Sequence, residues 1–113
     1  MCTKSELEKI MQVIAYSYKN IYGESIVSIY LYGSYARGDY NSESDIDIAA
    51  IVRGERSELQ EKLKKVWDVS SELELDYGII ISPTVIPYDE FCQYKEILPY
   101  YGSIEQEGVE LGA

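Results

Sequence analysis

The sequence has 113 residues and a formal net charge of −10, with 20 acidic and 10 basic side chains. This length is enough for one hydrophobic core but not for a second lobe, so we expect a single domain over residues 1–113. The acidic balance argues against stable nucleic-acid binding by this chain alone, because such a binder needs a basic patch to neutralise phosphates.

The composition also excludes several kinds of site. The chain has no His and two Cys, which excludes Ser-His and Cys-His nucleophiles and argues against a zinc site or a disulfide framework. No apolar run approaches the roughly 18 residues of a membrane span, and the N-terminus lacks a signal-peptide pattern. We therefore expect a cytoplasmic protein that does not associate with a membrane.

The first predicted element is an amphipathic helix. Thr3 and Glu6 have the spacing of a capping box at its start. Apolar residues then recur at helical intervals from Leu7 to Ile21, and Gly23 is a typical stop signal. We expect this helix to cover one face of a sheet.

Two apolar runs follow, Ile26–Tyr32 and Ile46–Val52, and both are predicted to be strands. The segment Asp39–Ser44 between them is polar and has the residues of a turn or loop. The two strands and their connection therefore form the centre of the predicted sheet.

A second helix is predicted after the second strand. Ser57 has capping-box spacing with the Gln three residues later, and apolar residues recur at helical intervals as far as Leu73. Trp67 lies among Leu and Val on the apolar face. We interpret it as a core residue rather than as one that stacks on a base.

The third strand is predicted over Asp76–Ile86, with Pro83 indicating a bend or an edge position. Two short helices are predicted after it, Tyr88–Leu98 and Tyr101–Glu107. This order of elements predicts an α/β (α+β) fold, in which a small mixed β-sheet has helices packed on one face. The other face must then stay open for a substrate.

Two carboxylates, Asp45 and Asp47, lie at the start of the second predicted strand. Their side chains point to the same face because a strand has a period of two. Two carboxylates this close repel one another unless a cation lies between them. Mg²⁺ usually binds one or two carboxylates and takes its other ligands from water and phosphates. The alternative is a solvated strand start, with Ser44 and Asp45 as turn residues.

Gly33 and Ser34 lie at the turn that leaves the first predicted strand. Backbone N–H groups and the Ser34 hydroxyl at this turn suit a phosphate, and a short helix beginning near Ser34 would add its positive end. We interpret the flanking Tyr32, Tyr35 and Tyr40 as half-covering the sheet and its rim, although stacking on a base is an alternative.

Three segments together, Gly33-Ser34, Arg37-Gly38 and Ser44-Asp45-Ile46-Asp47, resemble the signature of the DNA polymerase β-like nucleotidyltransferase superfamily. The likeness is greatest to minimal nucleotidyltransferase (MNT) proteins, which are often encoded with HEPN partner proteins. The resemblance implies the nucleotidyltransferase fold and transfer of a nucleoside monophosphate from an NTP, with ATP as the expected nucleotide. It also implies two Mg²⁺ ions, or Mn²⁺ in their place.

The resemblance assigns catalytic and metal-binding roles to three carboxylates: Asp45, Asp47 and Asp76. The family usually supplies the third carboxylate from the strand that follows, and Asp76 stands at the start of the predicted third strand. Glu74 is the next candidate for this role, because it lies two residues earlier and would be on the same face of a strand. A helix-end or turn role is the alternative for Asp76.

The resemblance also assigns nucleotide binding to Gly33 and Ser34, which would hold the β- and γ-phosphates. Arg37 has two interpretations of equal weight. It is either a phosphate contact or the ion-pair partner of a loop carboxylate such as Asp39 or Glu43, because the Arg fork suits both.

The preferred hypothesis for the function is an enzyme that transfers AMP to a hydroxyl of a partner protein. Superfamily members that act on polynucleotides or aminoglycosides carry extra domains to hold the acceptor, for which this length leaves no room. By resemblance, the acceptor would be a HEPN-type toxin and the chain an MntA-like antitoxin. The alternative is a catalytically weak or inactive nucleotide-binding module that sequesters its partner.

Overall fold

The computed structural model describes residues 3–111. In chain order they form α1 (Lys4–Tyr22), β1 (Ile26–Tyr32), α2 (Ser34–Arg37), β2 (Ile46–Val52), α3 (Arg56–Tyr77), β3 (Ile81–Pro87), α4 (Tyr88–Tyr94), α5 (Pro99–Glu107) and β4 (Val109–Leu111). The first two strands have the predicted bounds. Within the described residues, no helix has both the length and the apolar composition that crossing a bilayer requires.

The four strands form one mixed sheet in the order β3-β2-β1-β4. Strand β1 pairs antiparallel with β2 and with β4, whereas β2 pairs parallel with β3. Helix α3 makes the crossover that a parallel pair requires. The predicted mixed sheet is therefore confirmed. Strand β4 was not predicted, because three residues are too few to display a periodic pattern.

Helices α1 and α3 pack on one face of the sheet, as predicted. The buried cluster between these helices and the sheet includes Ile10, Ile14, Ile46, Ile48, Leu63 and Val66. The capping box of α1 is present, since Thr3 Oγ1 accepts the Glu6 N–H at 3.1 Å and the Thr3 N–H donates to Glu6 Oε1 at 3.0 Å. The capping box predicted at Ser57 was wrong, because α3 begins at Arg56 without a side-chain cap.

Two aromatic side chains from α1 and α3 bind the backbone of β3. The Tyr18 hydroxyl is fully buried, donates to the Thr84 carbonyl at 2.8 Å and accepts the Thr84 N–H at 3.1 Å. The Trp67 indole N–H donates to the Pro83 carbonyl at 3.0 Å, but Trp67 is 57% exposed. The interpretation of Trp67 as a core residue was therefore wrong, because helical spacing does not distinguish the margin of an apolar face from its centre.

The opposite face of the sheet carries a smaller buried cluster, formed by Ala49, Ile51, Ile86, Phe91 and Ile104. Phe91 belongs to α4 and Ile104 to α5, so the two short helices cover part of this second face. The cluster begins at Ala49 along β2. The start of β2 therefore lies outside it, so this face is open at the two carboxylates but not, as the sequence predicted, over its whole area.

Helix α3 is longer than predicted and ends at Tyr77. Gly78 adopts the left-handed conformation, with φ +66° and ψ 32°, and its N–H donates to the Glu74 carbonyl at 2.8 Å. Such a C-cap is typical of Gly because other residues are strained there. Strand β3 begins only at Ile81, so the prediction of a strand start at Asp76 was wrong.

Candidate active site

Asp47 occupies a central position at one end of the sheet. It is the Cα partner of Tyr32 on β1 and of Ser82 on β3. Side chains of paired residues in adjacent strands share a face of the sheet. Asp47 is half-buried, and its carboxylate is therefore flanked on both sides by hydroxyl-bearing residues.

Asp45 immediately precedes β2 and is also half-buried. Ile46, between the two carboxylates, belongs to the cluster under α1 and α3. The period of two along a strand places Asp45 and Asp47 on the face opposite to Ile46. The structure thus brings these two predicted site residues together on the face away from the long helices.

Gly33 lies between β1 and α2 and has φ +77° and ψ −155°, a conformation that L side chains rarely adopt. A Cβ atom placed on Gly33 would lie 2.6 Å from Oδ2 of Asp47. The Asp47 carboxylate therefore lies directly against the backbone of the turn, where only Gly fits. The predicted phosphate-binding turn and the predicted metal ligand form one structural unit.

Ser34 begins α2, which is a single helical turn. The Gly33 carbonyl accepts the N–H groups of Ala36 and Arg37, each at 3.1 Å. The Ser34 N–H lies in the first turn, ahead of these two donors, and therefore has no acceptor within the helix. Ser34 is half-buried, and the turn presents both a backbone donor and a hydroxyl next to Gly33.

The electrostatics of the carboxylate pair favour a cation. The pKa of Asp47 is raised from its ordinary value by burial and then by the charge of Asp45, while Arg37 acts in the opposite direction. A divalent cation would compensate the charge that burial and Asp45 make unfavourable. Mg²⁺ usually takes one or two carboxylates from a protein and its other ligands from water and phosphates, so the two carboxylates present fit this ion.

The third predicted carboxylate, Asp76, is not part of this arrangement. It lies in the last turn of α3 and is exposed. Within residues 3–111, no three or more Asp, Glu, Cys or His side chains form a group that could hold a metal. Glu74 accepts the Ile81 N–H at 2.8 Å and so binds the start of β3. The position of Asp76 favours the helix-end alternative over the predicted role as a third ligand.

Arg37 lies at the end of α2 and makes two exposed ion pairs. Its Nε is 3.2 Å from Asp39 Oδ2, and its Nη1 is 3.4 Å from Glu107 Oε2. The carboxylate of Asp39 first, and then that of Glu107, raises the pKa of Arg37. Asp39 was one of the two predicted partners, whereas Glu107 was missed because α5 lies far along the chain from the motif.

The tyrosines near the motif contact one another. The Tyr32 and Tyr100 hydroxyls are 2.8 Å apart, and burial followed by the Tyr100 hydrogen bond raises the pKa of Tyr32. The rings of Tyr35 and Tyr40 stack with centroids 4.4 Å apart at an angle of 7°. Tyr35 is buried and Tyr32 is half-buried, which agrees with their interpretation as cover for the sheet and its rim.

Sequence reasoning also missed Ser82. A serine between two Ile and a Pro carries no motif, and only the pairing of β2 with β3 places it opposite Asp47. The two polar residues of this largely apolar strand, Ser82 and Thr84, are the one signal that could have drawn attention to this face.

Comparisons with known proteins agree with this geometry. A family model described as "Nucleotidyltransferase domain" matches residues 8–108. The "Putative protein adenylyltransferase MJ0141" of Methanocaldococcus jannaschii is 32% identical over 108 residues, which cover 94% of this chain and 99% of the relative. A second protein of that organism, "Putative protein adenylyltransferase MJ0604", is 33% identical over 101 residues, with 89% and 93% covered.

Solved structures show the same fold. A crystal structure of a mutant of the toxin-antitoxin MntA-HpeT has a TM-score of 0.53 at 18% identity and covers 100% of this chain and 74% of that chain. A crystal structure of the toxin-antitoxin with AMP-PNP has a TM-score of 0.54 at 16% identity, with 99% and 74% covered.

Proposed function

This chain belongs to the nucleotidyltransferase domain family, and we propose that it transfers AMP from ATP to a hydroxyl group of a partner protein. The observation that carries this proposal is the close approach of the Asp47 carboxylate to the Gly33 backbone. A triphosphate bound at the Gly33-Ser34 turn would place its oxygens beside the carboxylate pair. A cation held there would contact protein and phosphate together.

In our proposal, Asp45 and Asp47 hold Mg²⁺, or Mn²⁺ in its place, and the family resemblance implies two such ions. When bound, they would neutralise phosphate charge and lower the pKa of the attacking hydroxyl. The raised pKa of Asp47 supports this assignment, because a pair of carboxylates held close together without compensation is unfavourable.

The Gly33-Ser34 turn then holds the β- and γ-phosphates through its backbone donor and the Ser34 hydroxyl. Arg37 is a phosphate contact in this proposal. Both of its present partners, Asp39 and Glu107, are exposed, and such ion pairs exchange at little cost. An Arg fork binds phosphate oxygens in a bidentate manner.

The proposed reaction exchanges one bond at the α-phosphorus for another. The acceptor oxygen forms a bond to the α-phosphorus, the bond to the oxygen that bridges to the β-phosphate breaks, and pyrophosphate leaves. The hydroxyl proton passes to a carboxylate or to water, since the chain has no His. The role of this chain is to align the triphosphate and the acceptor for that exchange.

The nature of the acceptor is supported by the relatives. The two relatives described above carry the name "Putative protein adenylyltransferase", which supports a protein acceptor. The neighbouring structures are toxin-antitoxin assemblies, one of them with AMP-PNP, which supports an adenine nucleotide and a partner toxin. We propose a HEPN-type toxin as the partner and this chain as its antitoxin.

A second candidate function is a nucleotide-binding module that sequesters its partner without efficient transfer. It is favoured by the position of Asp76, which leaves two carboxylates rather than three at the site within the described residues. The two candidates predict the same complex but different products.

Intact-mass measurement distinguishes the two functions. The chain and its co-encoded partner are incubated with Mg²⁺ and each of the four NTPs in turn. We expect the partner to gain the mass of one or more AMP groups with ATP, and no gain when EDTA replaces Mg²⁺. Complex formation without a mass gain on the partner, for all four NTPs, would contradict transfer and favour the sequestering module.

A further inference from the structure

Ser82 lies directly beside Asp47 in the sheet. The two residues are Cα partners in the parallel pair formed by β2 and β3. Adjacent strands lie about 4.8 Å apart, and paired side chains stand on the same face. Ser82 is half-buried, so its hydroxyl belongs to the same partly open surface as the carboxylates.

The residues on either side of Ser82 pair with other positions of β2. Thr84 is the next residue of β3 on this face, and its Cα partner is Ala49 rather than Asp47. The Ile80 carbonyl, just before β3, accepts the Ile46 N–H at 2.9 Å. Ser82 is thus the one polar side chain that the described part of β3 places next to Asp47.

We propose that Ser82 is the third protein residue of the cation site, a neutral hydroxyl where a third carboxylate would otherwise stand. The inference rests on the proposed function and identifies a residue of that site. A Ser hydroxyl is a hard oxygen ligand of the kind that completes Mg²⁺ sites beside bound phosphates. The site then carries two negative charges from the protein.

The charge of the site determines how tightly it binds a cation with and without a nucleotide. Two carboxylates and a hydroxyl bind a free divalent cation more weakly than three carboxylates do, because each carboxylate adds a full charge. The triphosphate supplies the missing negative charge. The chain should therefore bind Mn²⁺ weakly alone and much more tightly when ATP is present.

The first test adds a carboxylate at position 82. Ser82→Asp should tighten the binding of Mn²⁺ alone by at least about tenfold, as measured by titration without nucleotide. Ser71→Asp is the matched control, since Ser71 is exposed on α3 and the substitution adds the same charge away from the site. Equal Mn²⁺ affinity in the two variants, both folded, would overturn the proposal.

A second variant keeps the test valid if the extra carboxylate prevents folding. Ser82→Cys changes little in size, and a thiolate prefers softer ions. It should bind Cd²⁺ more tightly than Ser71→Cys does, with both native cysteines kept in each variant. Cd²⁺ affinity equal to that of the control would place the Ser82 side chain outside the site.

The same titrations separate this inference from the proposed function. If wild-type chain binds Mn²⁺ with ATP but the Ser82 variants match their controls, then only the role of Ser82 is wrong. If the wild-type chain binds no divalent cation with or without ATP, then the proposed function and the role of Ser82 both fail.

Discussion

The Asp47 carboxylate lies so close to the Gly33 backbone that a Cβ atom on Gly33 would stand 2.6 Å from Oδ2. This contact couples a strand carboxylate to a turn between β1 and α2. Any side chain at position 33 would have to displace the carboxylate, and any movement of the turn would change the position of Asp47. Nucleotide binding and metal binding are therefore expected to be lost together.

Gly33→Ala tests this coupling. Position 33 has φ +77° and ψ −155°, a region essentially restricted to Gly, where a side chain costs roughly 1–3 kcal/mol from backbone strain alone, and the clash with Asp47 adds to that cost. Gly23→Ala is the control, since Gly23 has φ +58° but no atom within 4 Å of the added Cβ. We expect both variants to lose stability in denaturant titrations and only Gly33→Ala to lose Mg²⁺–ATP binding. Normal ATP binding by Gly33→Ala would contradict the coupling.

The metal-free protein should lose stability as the pH rises through the titration of Asp47. Burial and the charge of Asp45 raise the pKa of Asp47 above its ordinary value of 3.8, so the folded chain binds this proton more tightly than the unfolded chain. Stability from this group is therefore highest below that value and falls as the pH rises through the raised pKa.

Asp47→Asn removes this titration. In EDTA, the variant should melt at a higher temperature than the wild type at neutral pH, and the difference should shrink as the pH falls below the ordinary carboxyl pKa. Melting temperatures measured across this range check the sign. A difference in melting temperature that does not change with pH would show that the surroundings do not raise the pKa of Asp47.

Arg37→Ala should weaken Mg²⁺–ATP binding by about tenfold or more, because a charge-assisted contact to phosphate is lost. Folding stability should change little, since the ion pairs to Asp39 and Glu107 are exposed. Arg56→Ala is the matched control: it breaks an exposed ion pair with Glu90 at 2.9 Å, on α3 rather than in the motif. Equal ATP affinity in the two variants, measured by calorimetry, would remove Arg37 from the site.

Asp76→Asn decides whether this residue belongs to the catalytic set. Loss of a general base costs roughly 10²- to 10⁴-fold in rate, but Asp76 is exposed in the last turn of α3. We therefore expect Asp76→Asn to leave both the transfer rate and the Mn²⁺ affinity unchanged. Glu74→Ala should instead lower the melting temperature, because the Ile81 N–H loses the carboxylate that accepts it. Slow transfer by Asp76→Asn with normal ATP binding would restore Asp76 as a catalytic residue.

Much of the site could be predicted because its signals are local. The runs Ile26–Tyr32 and Ile46–Val52 are bounded by turn residues, and the structure gives both strands these bounds. The alternation of Asp45 and Asp47 about Ile46 then sets the face of both carboxylates. Neither inference needs knowledge of distant parts of the chain.

The remaining features depend on contacts between distant segments. The ion pair of Arg37 with Glu107 and the pairing of Asp47 with Ser82 join residues that no sequence pattern connects. The error at Asp76 has a different cause. The apolar spacing of α3 ends at Leu73, its last buried residue, but the helix continues to Tyr77 and ends only at the Gly78 C-cap.

In the proposed function, Asp45 and Asp47 hold the cation through which the chain binds ATP. Calorimetric titration of ATP into the wild type and into the double variant Asp45→Asn/Asp47→Asn, each with Mg²⁺ and with EDTA, measures this dependence. We predict Mg²⁺-dependent binding by the wild type and its loss in a double variant that remains folded, because both charged ligands are gone. Unchanged Mg²⁺–ATP affinity in the double variant would contradict the claim.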